Sequence, residues 1–200
     1  MHEIRFCQHD ELILIQDFLS KHWSKNHIFT TSSKLLRWQH YNTEEKIINF
    51  VVAFNKNSKE FDAILGFIPT SQYDFNIKNR DIWLAIWKVK EEFSSTGIGL
   101  EVLLFLNNNY KASSIGVVGV SDDAIKIYKA FRYKTGVLKH FYIKNDSLED
   151  YTIASLNSIV NVNSSTNNNV FIKKITDKEF LSANISYQYT PCKTKEYFID

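Results

Sequence analysis

The residues best suited to chemistry form a short turn, S-S-T-G-I-G, at Ser94 to Gly99. It follows an apolar run, D-I-W-L-A-I-W-K-V, and precedes Leu100, Leu103, Leu104 and Leu106 at helical spacing. A strand, a small-residue turn and a helix start gather backbone N–H groups that have no intrahelical partner. Such a site attracts phosphate, because the donors converge where the helix dipole is positive. No G-K-[ST] follows, so the lysine and magnesium-binding hydroxyl of a P-loop are missing. The third glycine of a dinucleotide fingerprint is missing too. A second group of reactive side chains, His22, His27 and His40, lies among Trp23, Trp38 and Tyr41. A histidine can accept a proton near neutral pH, as can a carboxylate such as Asp81. His22 and His27 lack the i, i+3 or i, i+4 spacing of helical zinc pairs, so no metal site is expected.

The elements that must position these residues can be read from periodicity. Ile4 to Cys7 forms a short strand, then Leu12, Ile15, Phe18 and Leu19 mark a helix with Asp10 as its cap. A second helix covers Ser33 to His40, capped by Ser32 or Ser33. Ile47–Phe54 and Asp62–Ile68 form a hairpin, ended by Pro69, and Thr70 to Arg80 is a polar loop. Asp81–Val89 is the strand that feeds the turn. Ser114–Val120 reads as a buried strand whose glycines admit a close neighbour. Ser121 and Asp122 then cap a helix with Ala124, Ile127, Tyr128 and Phe131 on its apolar face. An alternating strand follows Gly136, in V-L-K-H-F-Y-I. The order predicts a mixed α/β sheet.

Composition narrows the function classes. The 200 residues are 44% hydrophobic and 14% aromatic, enough for a sizeable core. A net charge of +2 without a basic stripe argues against a nucleic-acid partner. The N-terminus lacks a secretory design, and no apolar run approaches the ~20 residues of a membrane span. Cys7 and Cys192 match no zinc or redox spacing, which fits a reducing cytoplasm.

Two motifs together carry a family resemblance. S-S-T-G-I-G is similar to the [Q/R]-x-x-G-x-[G/A] signature of the GNAT superfamily of acyl-CoA-dependent N-acyltransferases. S-D-D-A-I-K-I-Y-K-A-F-R-Y, Ser121 to Tyr133, resembles its N-x-x-A-x-x-x-Y-x-x-x-G-F. The resemblance implies a GNAT-like mixed, mostly antiparallel central sheet flanked by helices, over residues 1–145. It implies acetyl-CoA or another acyl-CoA as co-substrate, no metal, and a small-molecule amine as acceptor. The main chain of Ser95, Thr96, Gly97, Ile98, Gly99 and Leu100 would hold the pyrophosphate, with Ser121 also at the cofactor. Trp87 and Val89 would pair with the pantetheine arm, and the Val89 N–H would face the thioester carbonyl. Tyr128 would protonate the departing thiolate. The two N-terminal helices would border the acceptor, which leaves the general base open among His22, His27 and His40, then Asp81.

The departures are Ser94 for Gln or Arg, Ser121 for Asn, and Arg132-Tyr133 for Gly-Phe. They leave a non-catalytic GNAT-like binding module as the competing reading. The aromatic set, Trp23, Trp38, Tyr41, Trp83 and Trp87, has two readings as well: a stacking wall for a sugar or nucleobase, or ordinary core. H-W-x-x-x-H and L-L-R-W-Q-H resemble segments of GNAT-like proteins of bacterial surface-polysaccharide assembly, which implies a sugar or nucleotide-sugar amine. Residues 146–169 read as an Asn/Ser-rich linker. Residues 170–200 read as a C-terminal extension or the start of a partial second module, with Thr176 and Glu179 at capping-box spacing. A homodimer is compatible with all of this.

Overall fold

A computed structural model describes residues 1–74, 76–138, 173–184, 194, 195, 198 and 199. The chain divides into two compact units, residues 1–119 with 177–200, and residues 120–176.

The first unit is built on a six-stranded sheet ordered β1-β3-β4-β5-β6, with β2 beside β3. The strands are β1 His2–Gln8, β2 Tyr41–Asn42, β3 Ile47–Asn55, β4 Glu60–Pro69, β5 Asp81–Val89 and β6 Ser114–Val117. Among the described residues all pairings are antiparallel except β5 with β6. β3 and β4 are buried along nearly their whole length, which demands cover on both faces. Helices α1 (Leu12–His22), α2 (Ile28–Thr31) and α3 (Ser33–His40) supply one cover. Leu12, Ile15, Phe18, Leu19, Phe29 and Leu36 pack there on Ile48, Phe50, Val52, Ile64 and Ile86. Each such side chain contributes roughly 1.5–3 kcal/mol by leaving water. On the other face α4 (Ile98–Tyr110) sets Phe105 against Phe6 and Tyr110 against Phe67.

Most of the expected elements are present, and Asp81–Val89 and Ser33–His40 have the expected bounds. Three details differ. The residue before α1 is Glu11 rather than Asp10, and its carboxylate caps no helical N–H. It takes the Arg5 guanidinium at 2.6 and 2.8 Å and the Gln8 N–H instead, tying helix to strand. The strand expected over Ser114–Val120 ends at Val117 and is half-buried, because it pairs with β5 over four residues only. Gly119 admits no close neighbour: it adopts φ +67° and a Cβ there would meet nothing within 4 Å.

In the second unit, α5 (Asp122–Ala130) starts at Ser121, whose hydroxyl accepts the Ala124 N–H. In the first, α6 (Asp177–Ser182) begins directly after Thr176. The strand expected after Gly136 and the Asn/Ser-rich stretch lie outside the described residues, apart from Val137 and Leu138 in the strand.

Candidate functional site

The parallel ladder between β5 and β6 runs from Asp81↔Ser114 to Leu84↔Val117 and stops. Directly after it, β5 carries a bulge. Leu84 pairs with Phe67 and Trp87 with Leu65, so Ala85 and Ile86 together stand opposite Gly66. A bulge bends its strand and sharpens the local twist. Ala85 to Val89 thus extends past the end of the β6 ladder while keeping β4 on its other side.

Main-chain direction along this half-strand follows from one bond. The Lys90 N–H donates to the Asp62 carbonyl of β4 at 2.9 Å. Backbone groups alternate along a strand, so the N–H and C=O of Val89 and Trp87 face the opposite side, where β6 has ended. A strand edge with main-chain donors and acceptors along it can hold an extended, amide-bearing ligand.

The turn beyond Val89 is wound by successive short bonds. A 3-10 helix at Glu91–Phe93 forms as Phe93 N–H donates to Lys90 O, Ser94 N–H to Glu91 O and Thr96 N–H to Phe93 O. Gly97 then adopts φ +82°, a left-handed conformation that suits glycine, and α4 begins. The Leu100 N–H closes back on Gly97 O at 2.9 Å. Of the six amides expected to hold phosphate, Thr96 and Leu100 are thus spent inside the turn. Ile98 N–H has a long, 3.5 Å approach to the Thr96 hydroxyl. Ser95, Gly97 and Gly99 donate to no protein acceptor among the described residues, and Ser95, Thr96 and Gly97 are exposed. The Ser94 hydroxyl, standing where the family motif has a long polar side chain, turns back onto Glu91 O at 2.8 Å.

Gly99 serves packing rather than conformation. A Cβ there would lie 2.8 Å from Val89 Cγ2, so the start of α4 touches the end of β5. The open amides and the end of β5 are therefore adjoining.

A charged cluster that the sequence did not reveal stands at the end of β5. Asp62 is 1% exposed and Lys90 8%, with Nζ 2.7 Å from Asp62 Oδ1 and 3.1 Å from Glu60 Oε2. The other Asp62 oxygen takes His2 Nε2 at 2.6 Å and Asn55 Nδ2 at 2.8 Å. Burial by itself would raise the Asp62 pKa, yet the hydrogen bonds from Lys90, Asn55 and His2 hold it below the usual value.

The three histidines have different surroundings, although the Phe29 ring meets both His27 and His40. His22, at the end of α1, lies beside Phe18 and keeps a lowered pKa through burial and the nearby Lys90 charge. His27 caps α2: its Nδ1 accepts the Phe29 N–H at 3.2 Å. His40 is fully buried between Phe29 and Phe50, with Nδ1–H donating to Phe67 O at 3.2 Å. Asp81 is buried at the far end of β5 and accepts the Ser114 hydroxyl at 2.6 Å, a structural role. Among the described residues no His, Cys, Asp and Glu group could hold a metal ion.

Burial pushes the His40 pKa down to about 4, against the pull of the Phe67 and Asn49 main chain. The folded state thus keeps this ring neutral while the unfolded chain protonates near pH 6.5. Stability should be full above pH 6.5 and fall by about 3 kcal/mol as pH drops toward 4. Urea titrations at pH 7, 6 and 5 should show the loss, and His40→Phe should flatten it between pH 6.5 and 4.5.

In the second unit, Tyr128 is buried on α5 and meets the Tyr133 ring edge-on at 5.6 Å. Burial, aided by Tyr133, raises its pKa to about 12. Ser121 spends its hydroxyl on the helix cap. Of the aromatic set, Trp23 and Trp38 are about half exposed, at 46% and 50%. Tyr41, Trp83 and Trp87 are partly covered.

No protein-family model matches the sequence, and no curated protein matches it. Solved structures do match the fold. One is the aminoglycoside acetyltransferase meta-AAC0020 from an uncultured soil metagenomic sample, in complex with sisomicin. It is 18% identical, with a TM-score of 0.52 over 72% of this chain and 97% of that one. Another is the aminoglycoside acetyltransferase HMB0005, also from an uncultured soil metagenomic sample. It is 18% identical, with a TM-score of 0.50 over 72% of this chain and 99% of that one. The chain is similar to both in architecture, and the mostly antiparallel sheet with its flanking helices is the GNAT fold.

Proposed function

We propose that this chain, built on the GNAT fold, is an N-acyltransferase that moves an acyl group from acyl-CoA to a primary amine. The observation that carries the reading is the end of the β6 ladder at Leu84, beside a turn with open amides at Ser95, Gly97 and Gly99. These features fit a pantetheine arm and a pyrophosphate respectively. Acetyl is the group named in both fold neighbours.

Acyl-CoA would supply the acyl group as an activated thioester. The Ser95, Gly97 and Gly99 amides would neutralise phosphate oxygens, and Trp87 and Val89 would bond the arm through their main chain. Because α4 touches Val89, a pyrophosphate on the turn lies close to that residue. A thioester at the far end of a pantetheine arm belongs several strand residues away. At about 3.3 Å per residue, the bulge at Ala85–Ile86 lies roughly 10–13 Å from Val89. That span favours the bulge, rather than the Val89 N–H, as the donor toward the thioester oxygen.

Attack by the amine nitrogen on the thioester carbon breaks the C–S bond, and the sulfur leaves as thiolate. Tyr128, from the second motif, is assigned the proton that this sulfur takes up. With a pKa of about 12 the phenol stays protonated throughout the neutral range. The amine proton passes to water: His22 lies beside Lys90, at the end of β5 away from the bulge. His27 is committed to its cap, and His40 is enclosed.

For the acceptor we favour the amine of a sugar or nucleotide-sugar. Half-exposed Trp23 and Trp38 can stack on a sugar face, and the fold neighbours act on aminoglycosides, which are amine-bearing sugars. Acetyl-CoA at a hundred times its Kd should stabilise the protein by about 2.7 kcal/mol in thermal shift, and adenosine diphosphate by less. Thiol release should then be faster with aminosugars than with alkylamines or lysine peptides. No shift with any CoA ester overturns the reading, and a shift without turnover on any amine leaves a binding module.

A further inference from the structure

We infer that Asp62 and Lys90 are positioning residues for the acyl donor: their buried pair sets the geometry of the amide turn without touching the ligand. This rests on the acyl-CoA reading above. The case begins with how much of the exit from β5 one side chain commands. The Asp62 carbonyl accepts the Lys90 N–H, and its carboxylate faces Lys90 Nζ at 2.7 Å, so residue 90 is held by both main chain and side chain. His2 and Asn55 fix the other carboxylate oxygen from β1 and β3, which makes Asp62 a junction of four chain segments. The His2 ring also meets the Phe93 ring edge-on at 5.2 Å, a second hold on the same turn.

From Lys90 onward each bond depends on the one before. Lys90 O accepts Phe93 N–H, Phe93 O accepts Thr96 N–H, and Gly97 O accepts Leu100 and Glu101. The open amides lie inside this relay. Its upstream end is tied to Asp62, and its downstream end is tied to β5 by the contact of Gly99 with Val89. Loosening Lys90 frees one end, and amides that must converge on an anion lose their shared aim. Affinity for a ligand that depends on such preorganisation falls even when no contact residue changes.

Asp62→Asn keeps the shape and removes the charge that holds Lys90. Hydrogen exchange should accelerate at residues 91–99 and stay unchanged at 103–110 within α4. The Kd for acetyl-CoA, by calorimetry, should rise about tenfold. Lys90→Met should show the same two losses, and Lys90→Arg, which can still bridge Asp62 and Glu60, should restore both. His2→Gln, at a side chain 26% exposed, gives a milder variant if Asp62→Asn folds poorly. Unchanged exchange at 91–99 and unchanged affinity in a wild-type background that binds acetyl-CoA would overturn the positioning role alone. Wild-type protein that binds no acetyl-CoA would overturn the proposed function, whatever the exchange shows. Uniformly faster exchange, α4 included, would reduce the pair to a general stabiliser.

Discussion

Lys90→Met should lower the unfolding free energy by about 3 kcal/mol, the largest stability effect expected of a single polar residue here. Methionine matches the length and packing of the lysine stem, so the loss isolates the charge. Asp62, 1% exposed, would keep its negative charge with only His2 and Asn55 to meet it. Removing one partner of a buried pair costs about 3–5 kcal/mol, and those two remaining partners place this case at the low end. Urea unfolding at pH 7 measures it directly. A loss below about 1 kcal/mol would mean that water screens the pair as it does on a surface.

Tyr128→Phe carries the largest kinetic effect. Turnover should fall at least about a hundredfold, while the Kd for acetyl-CoA should stay within about twofold. On the proposed reading the missing hydroxyl would leave the departing sulfur without its donor, while the ring would still fill its place on α5. Wild-type turnover should show no loss ascribable to Tyr128 as pH rises to 10, because its pKa lies at about 12. Unchanged turnover in Tyr128→Phe would return the residue to packing alone.

Local patterns were legible in the sequence, and long-range meetings were not. The bounds of Asp81–Val89 follow from a continuous apolar run between polar turns. Those of Ser33–His40 follow from a serine cap and helical spacing. The turn between β5 and α4 was visible through Gly97 and Gly99, although the two glycines have different jobs. Gly97 supplies a left-handed φ, and Gly99 lets a helix touch a strand. Which amides stay open could not be read, since Thr96 and Leu100 are consumed by carbonyls that only the folded turn presents. The settings of the histidines were hidden for a related reason: helix capping takes His27 and the core takes His40, with the Phe29 ring meeting both. His2, Asn55, Asp62 and Lys90 are spread along 89 residues and share no motif, so only the pairing of β1, β3, β4 and β5 brings them together.

The half-strand past the end of β6 has a consequence for solubility. Any strand edge that recognises an extended ligand through its main chain can also recognise another polypeptide. Here that stretch is only five residues, Ala85 to Val89, with a bulge at its start and the charge of Lys88 within it. A twisted, short and charged edge is a poor template for a neighbouring chain. The bulge at Ala85–Ile86 therefore discourages self-association along this edge.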